Sequence, residues 1–105
     1  MTEPLPAADR RGTEPFDETI HAPNRLRICA FLDAMNSAEF SVLRDMLGVA
    51  DSVLSKHLKV LQDAGYASVA KPTGRGRVKT WVSLTPAGKK AYARHVAALR
   101  ALFDG

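Results

Sequence analysis

The sequence predicts a mainly α fold of the α+β class, several helices with one two-stranded β element. From Pro23 to Gly65 the apolar residues recur at helical spacing, with turn residues between the runs. Between Gly65 and Thr85 the period changes to short alternating runs. After Thr85 the helical period returns and continues to Phe103.

Taken in order, "MTEPLPAADRRGTEP" carries Pro4, Pro6 and Pro15, many charges and few large apolar residues. Such a segment cannot bury enough surface to offset its ordering entropy, so residues 1–14 are expected to be a disordered arm and residues 15–105 one domain. "FDETIHA" predicts a short helix presenting Phe16 and Ile20, four apart. In "PNRLRICAFLDAM", Pro23 suits the first turn of a helix, and Ile28, Phe31, Leu32 and Met35 form a core-facing stripe. "NSAEF" breaks that pattern. Ser41 is then expected to cap a short helix, "VLRDMLG", closed by Gly48.

"DSVLSKHLKVLQDAG" predicts a helix over 52–64 that stops at Gly65. At ~100° per residue, Leu54, Leu58 and Leu61 share one face; Ser52, Lys56 and Lys59 share the opposite one, with Ser55 at its edge. Val53 and Val60 border the polar face, and His57 falls toward the leucines. "YASVAK" and "VKTWVSL" read as strands, and "PTGRGR" between them, with Pro72, Gly74 and Gly76, as a turn. The result is a two-stranded hairpin over about 66–84 with a basic tip. Thr85 as N-cap and Pro86 at the first helical position open a final helix to about Phe103.

Charge is unevenly placed. The 105-residue chain has a net charge of +4, yet residues 1–20 sum to −3 and residues 51–90 to +6. A concentrated positive region on a small domain is the footprint of a polyanion binder. Cys29 is the only cysteine, so no disulfide framework exists within the chain, and His21, His57 and His95 lack partners at metal-ligand spacing. No cofactor or metal is expected; a small-molecule effector is left open but not indicated, and would have to use a cleft at the dimer interface. No nucleophile–base pair, acidic dyad or phosphate loop appears, and "TGRGR" lacks the lysine of a Walker loop, so an enzyme is not expected. No apolar run is long enough for a bilayer, and no basic-then-apolar leader opens the chain, so the expectation is a cytoplasmic protein without a membrane.

A short helix, a tight turn, a longer basic helix and a basic hairpin in that order make a winged helix-turn-helix, with the helix-turn-helix at about 41–65. The longer helix is expected to enter the major groove of double-stranded DNA, while the wing reaches the flanking backbone or minor groove. "SVLSKHLKVL" resembles the S-x-x-S-x-H-L-x-x-L recognition helix of ArsR-type repressors. "SLTPAGKKA" resembles the L-T-x-x-G segment after the wing in MarR-type regulators, and "HAPNRLRICAFL" is similar to the first core helix of both groups. The resemblance spans residues 16–103 and implies a dimeric transcriptional regulator consisting of little more than its DNA-binding domain.

The candidate DNA contacts are Ser52, Val53, Ser55, Lys56 and Lys59 on the recognition helix, with His57 packing or touching one phosphate. Lys71, Arg75, Arg77 and Lys79 are candidates on the wing. Arg25 and Arg44 suit either phosphates or structural ion pairs. Tyr92, Val96, Leu99 and Phe103 are spaced 4, 3 and 4 apart, a coiled-coil-like seam. With Phe16 and Ile20 they form the candidate homodimer interface, which a core this small makes worth seeking. The alternative function is a winged helix that binds protein instead of DNA; its face would not need the positive charge seen here.

Overall fold

The computed structural model describes residues 16–71 and 79–104. The elements run α1 (Glu18–His21), α2 (Pro23–Met35), β1 (Ser37–Glu39), α3 (Phe40–Leu47), α4 (Asp51–Asp63), β2 (Ala67–Ala70), β3 (Trp81–Leu84) and α5 (Pro86–Asp104). The expected arm, residues 1–14, lies outside the described residues.

The sheet has one strand more than the predicted hairpin. Asn36 takes a left-handed φ of 72° and ends α2, its N–H donating to the Leu32 carbonyl at 2.8 Å. The next three residues pair antiparallel with β3, giving the order β1-β3-β2. The central strand β3 therefore sets Val82 opposite both Ala38 and Val69. Val82 is fully buried, and only Ala38 of β1 points into the core. A strand of three residues with one inward side chain shows no readable alternation.

This strand also moves the start of α3. Its N-cap is Glu39, which makes no side-chain cap bond, and Ser41 is not the cap expected from sequence. The first helical residue, Phe40, donates its N–H to the Thr80 carbonyl beside β3 at 2.8 Å, so sheet backbone satisfies a donor that a hydroxyl would otherwise serve. Gly48 closes the helix in the left-handed conformation, as predicted.

The core gathers Ile20 from α1, Ile28, Cys29 and Leu32 from α2, and Leu43 and Leu47 from α3. Leu54, Leu58 and Leu61 of α4, Val82 and Leu84 of β3, Ala91 of α5, and Ala38 of β1 and Ala67 of β2 complete it. Met35, expected among them, is 56% exposed: it is the last residue of α2, where the chain turns away at Asn36 and the packing surface stops. Burying side chains of this size contributes about 1.5–3 kcal/mol each.

Two backbone devices lock α4 to α5. At the end of α4, Gly65 (φ 81°) donates to the Gln62 carbonyl at 2.9 Å and Tyr66 to the Leu61 carbonyl at 2.8 Å, a Schellman closure that needs the left-handed residue. Thr85 caps α5 as predicted, its Oγ1 accepting the Gly88 N–H at 2.9 Å and donating to the Gly65 carbonyl at 2.6 Å. Gly88 is buried against the Tyr66 backbone. A Cβ there would meet the Tyr66 carbonyl oxygen in a hard clash and lie 2.9 Å from its carbon. Glycine in this turn is what lets α5 seat on the chain leaving α4.

Candidate nucleic-acid interface

Helix α4 is anchored by one face and free on the other. Leu54 and Leu61 are fully buried and Leu58 nearly so, while Ser52, Val53, Ser55, Lys56 and Lys59 are exposed. Ala50 occupies the N-cap without a side-chain bond, and the helix starts at Asp51, one residue before the predicted start. Asp51 lies in the first turn, where a carboxylate complements the helix dipole. Arg44 of α3 reaches it at 3.1 Å and its own neighbour Asp45 at 3.0 Å. Hydrogen bonds to Asp45 and Asp51 hold its guanidinium above the usual arginine value. Of the two roles open to Arg44, the structure shows the ion pair, a largely exposed one that bridges α3 to the first turn of α4.

His57 is half-buried, with Nδ1 3.3 Å from the Nη1 of Arg25, whose Nε donates to the Thr19 carbonyl. A guanidinium only donates, so Nδ1 accepts and the imidazole proton sits on Nε2. Burial, then the Arg25 charge, pushes the His57 pKa below the ordinary imidazole value. His57 is thus a neutral side chain tied to α2, in keeping with its position toward the core. Lys59 pairs with Asp63 one turn on at 3.4 Å; both are well exposed, and such a pair contributes at most ~1 kcal/mol.

An open groove of about 420 Å³ runs between α4 and the sheet, lined by Ser55, Lys59 and Gln62 on one side and Lys71, Thr80 and Phe40 on the other. The fold therefore sets three predicted contacts, Ser55, Lys59 and Lys71, around one groove. Lys79 stands apart, 4.0 Å from Glu39. Arg75 and Arg77, the expected wing tip, lie outside the described residues.

The predicted dimer residues divide. Tyr92, Val96 and Leu99 are half-buried on α5, and Phe103 is 84% exposed beside Leu102 at 56%, an apolar neighbour off the predicted spacing. Ile20 is a correction: it is fully buried in the chain's own core and has no area left for a partner. Phe16 is half-buried and stacks on the His21 ring at 4.8 Å, with its edge toward His95 at 5.3 Å.

Sequence reasoning missed the cluster beneath Phe16. The Asp17 carboxylate caps α1 through the Thr19 and Ile20 N–H groups at 3.0 and 3.3 Å and accepts from the Tyr66 hydroxyl at 2.6 Å. That hydrogen bond, with burial, raises the Tyr66 pKa. His21 meets His95 across 74 positions of chain, a separation no local spacing reveals. Cys29 is fully buried, and burial above all, with Asp17 second, pushes its thiol up to about 12.

Comparison with known proteins is consistent with this geometry. Residues 24–103 match the family described as winged helix DNA-binding domain. An uncharacterized protein of Methanocaldococcus jannaschii is 33% identical over 72 residues, 69% of this chain and 78% of that one. The structure of a transcriptional regulator homologue from Pyrococcus horikoshii superposes with a TM-score of 0.80 at 29% identity, over 85% of this chain and 88% of the other. A MarR-family transcriptional regulator from Silicibacter pomeroyi gives a TM-score of 0.65 at 29% identity over 83% of this chain, which spans 57% of the larger protein's length.

Proposed function

Since this chain belongs to the winged helix DNA-binding domain family, we propose that it is a dimeric cytoplasmic repressor that inserts α4 into the major groove of double-stranded DNA. The observation that carries this reading is the free face of α4. Ser52, Ser55, Lys56 and Lys59 are exposed on a helix whose opposite face is held by three buried leucines, beside a groove lined by Lys59 and Lys71 and, among acids, by Asp51. A helix fixed in this way need not order its backbone on binding; only the exposed lysine side chains have rotamer freedom left to lose. Lysine and serine suit phosphates and guanine acceptors, and exposed Val53 suits a thymine methyl.

The wing, with Lys71, Arg75, Arg77 and Lys79, then meets the flanking backbone or minor groove. The half-exposed seam Tyr92, Val96 and Leu99, extended by Leu102 and Phe103, supports a two-fold dimer through α5. Two recognition helices would then reach successive major grooves, about 34–36 Å apart, on a roughly palindromic site. Bound there, the dimer represses by occupying the promoter.

The test takes a site selected from random duplexes and measures Ser52→Ala and Lys56→Ala against its single-base variants. A base contact shrinks discrimination at one symmetric pair of positions by ~1–3 kcal/mol; a phosphate contact lowers affinity evenly and flattens the salt slope by about one counterion. Two folded variants that bind the whole panel like wild type would refute the reading and favour a protein-binding module.

A further inference from the structure

Among the described residues His95 is the one buried polar side chain, and both its ring nitrogens are engaged. Nδ1 lies 3.2 Å from the backbone nitrogen of Asp17, and Nε2 lies 3.1 Å from Nδ1 of His21. An amide N–H can only donate, so Nδ1 of His95 is bare and the proton of the neutral ring sits on Nε2. That proton points at Nδ1 of His21, which must also be bare, leaving the proton of His21 on its own Nε2. Two neutral rings satisfy every contact. A third proton would have to point at the Asp17 N–H or at the Nε2–H of His95. The same constraint disfavours a metal ion between the rings, because Nε2 could then bind it only as an imidazolate.

The surroundings hold two carboxylates, Asp17 and Glu18, but their pull on His95 is smaller than the opposing effects of burial and His21. From the α1 side, Asp17, Glu18 and His21 face His95. The Asp17 carboxylate is committed to the Thr19 and Ile20 N–H groups and the Tyr66 hydroxyl. Turning toward a charged imidazole would cost it at least one of these bonds, and the Glu18 carboxylate is exposed, where water and salt screen it. Helix α2 brings Arg25 to the Thr19 carbonyl, and it brings Cys29 and Asp33 near Tyr92, one turn before His95. Strand β3 contributes no ionisable side chain. Phe16 stacks on the exposed His21 ring and meets the buried His95 ring edge-on.

We propose that His21 and His95 form a proton-operated latch, which holds the segment Phe16–His21 on α5 while both rings are neutral and releases it when the pair takes up one proton. Burial, then the neighbouring His21, pushes the His95 pKa below the ordinary 6.5. The unfolded or released chain therefore binds the proton more readily than the latched one. The latch contributes its full stability above 6.5 and loses it as pH falls through the lower, folded-state value. Release strips cover from α5 just before Leu99 and Phe103. On the dimer reading proposed above, and only on it, acid then also weakens DNA binding.

The experiment follows the imidazole and amide resonances of the wild-type chain from pH 8 to 5. His95 is expected to titrate below 6.5, with the Asp17–His21 amides losing protection by roughly tenfold per unit over the same range. In parallel, His21→Gln and His95→Gln are melted at pH 7.5 and 5.5; both should lose less in midpoint on acidification than wild type does. His95 titrating at 6.5 or above with α1 still in place overturns the latch, as do amides that stay protected at pH 5. If the latch opens and the affinity for the selected duplex does not change, the latch stands and its link to the dimer is refuted.

Discussion

Replacing Gly88 by alanine separates tertiary contact from helix propensity, because the two predict opposite signs. Gly88 lies in the first turn of α5 with an ordinary φ, where alanine is favoured over glycine by at most the interior-helix value of about 1 kcal/mol. On propensity alone the variant should be more stable. The structure says otherwise. The added Cβ would fall 2.9 Å from the Tyr66 carbonyl carbon and 3.0 Å from its Cα, and closer still to the oxygen. Backbone cannot swing aside as a flexible side chain can, so the first turn of α5 must lift. That turn is held by the Thr85 N–H on the same Tyr66 oxygen at 2.9 Å and by the Thr85 hydroxyl on Gly65 at 2.6 Å. Overpacking costs about 1–3 kcal/mol and each weakened hydrogen bond about 1, against the propensity gain. The net loss is about 3 kcal/mol, which for a domain this size lowers Tm by roughly 12–24 °C. Thermal and urea unfolding of wild type and Gly88→Ala, followed by circular dichroism, measure it. A variant as stable as wild type, or more so, would refute the claimed close approach.

Leu99→Glu should leave the fold intact, since Leu99 is only half-buried in the chain itself, but set a carboxylate in the proposed seam; sedimentation should show monomers and DNA binding should weaken at least tenfold. Wild type sedimenting as a monomer at micromolar concentration would contradict the seam. Cys29, its thiol pushed up to about 12 by burial, should resist alkylation at pH 8 in the native chain and react at once in denaturant; rapid native labelling, read by mass spectrometry, would show that the core opens readily around α2.

What the sequence determined by itself is local. The leucines of α4 announced their buried face because helical spacing alone brings them together, and Ser52, Lys56 and Lys59 were legible as the opposite face for the same reason. The caps at Thr85 and Gly48 were legible too, since a cap bonds within its own turn. Tertiary structure decided whatever depends on residues far apart in the chain. It turned Ser37–Glu39 into a strand through pairing with β3, and so moved the start of α3 away from Ser41. It took Ile20 into the core and left Met35 outside, although both lie at helical spacing. It tied His57 to Arg25 and His21 to His95, contacts across 32 and 74 positions that leave no periodic trace. Periodicity says which residues share a face; only the packed chain says what that face meets.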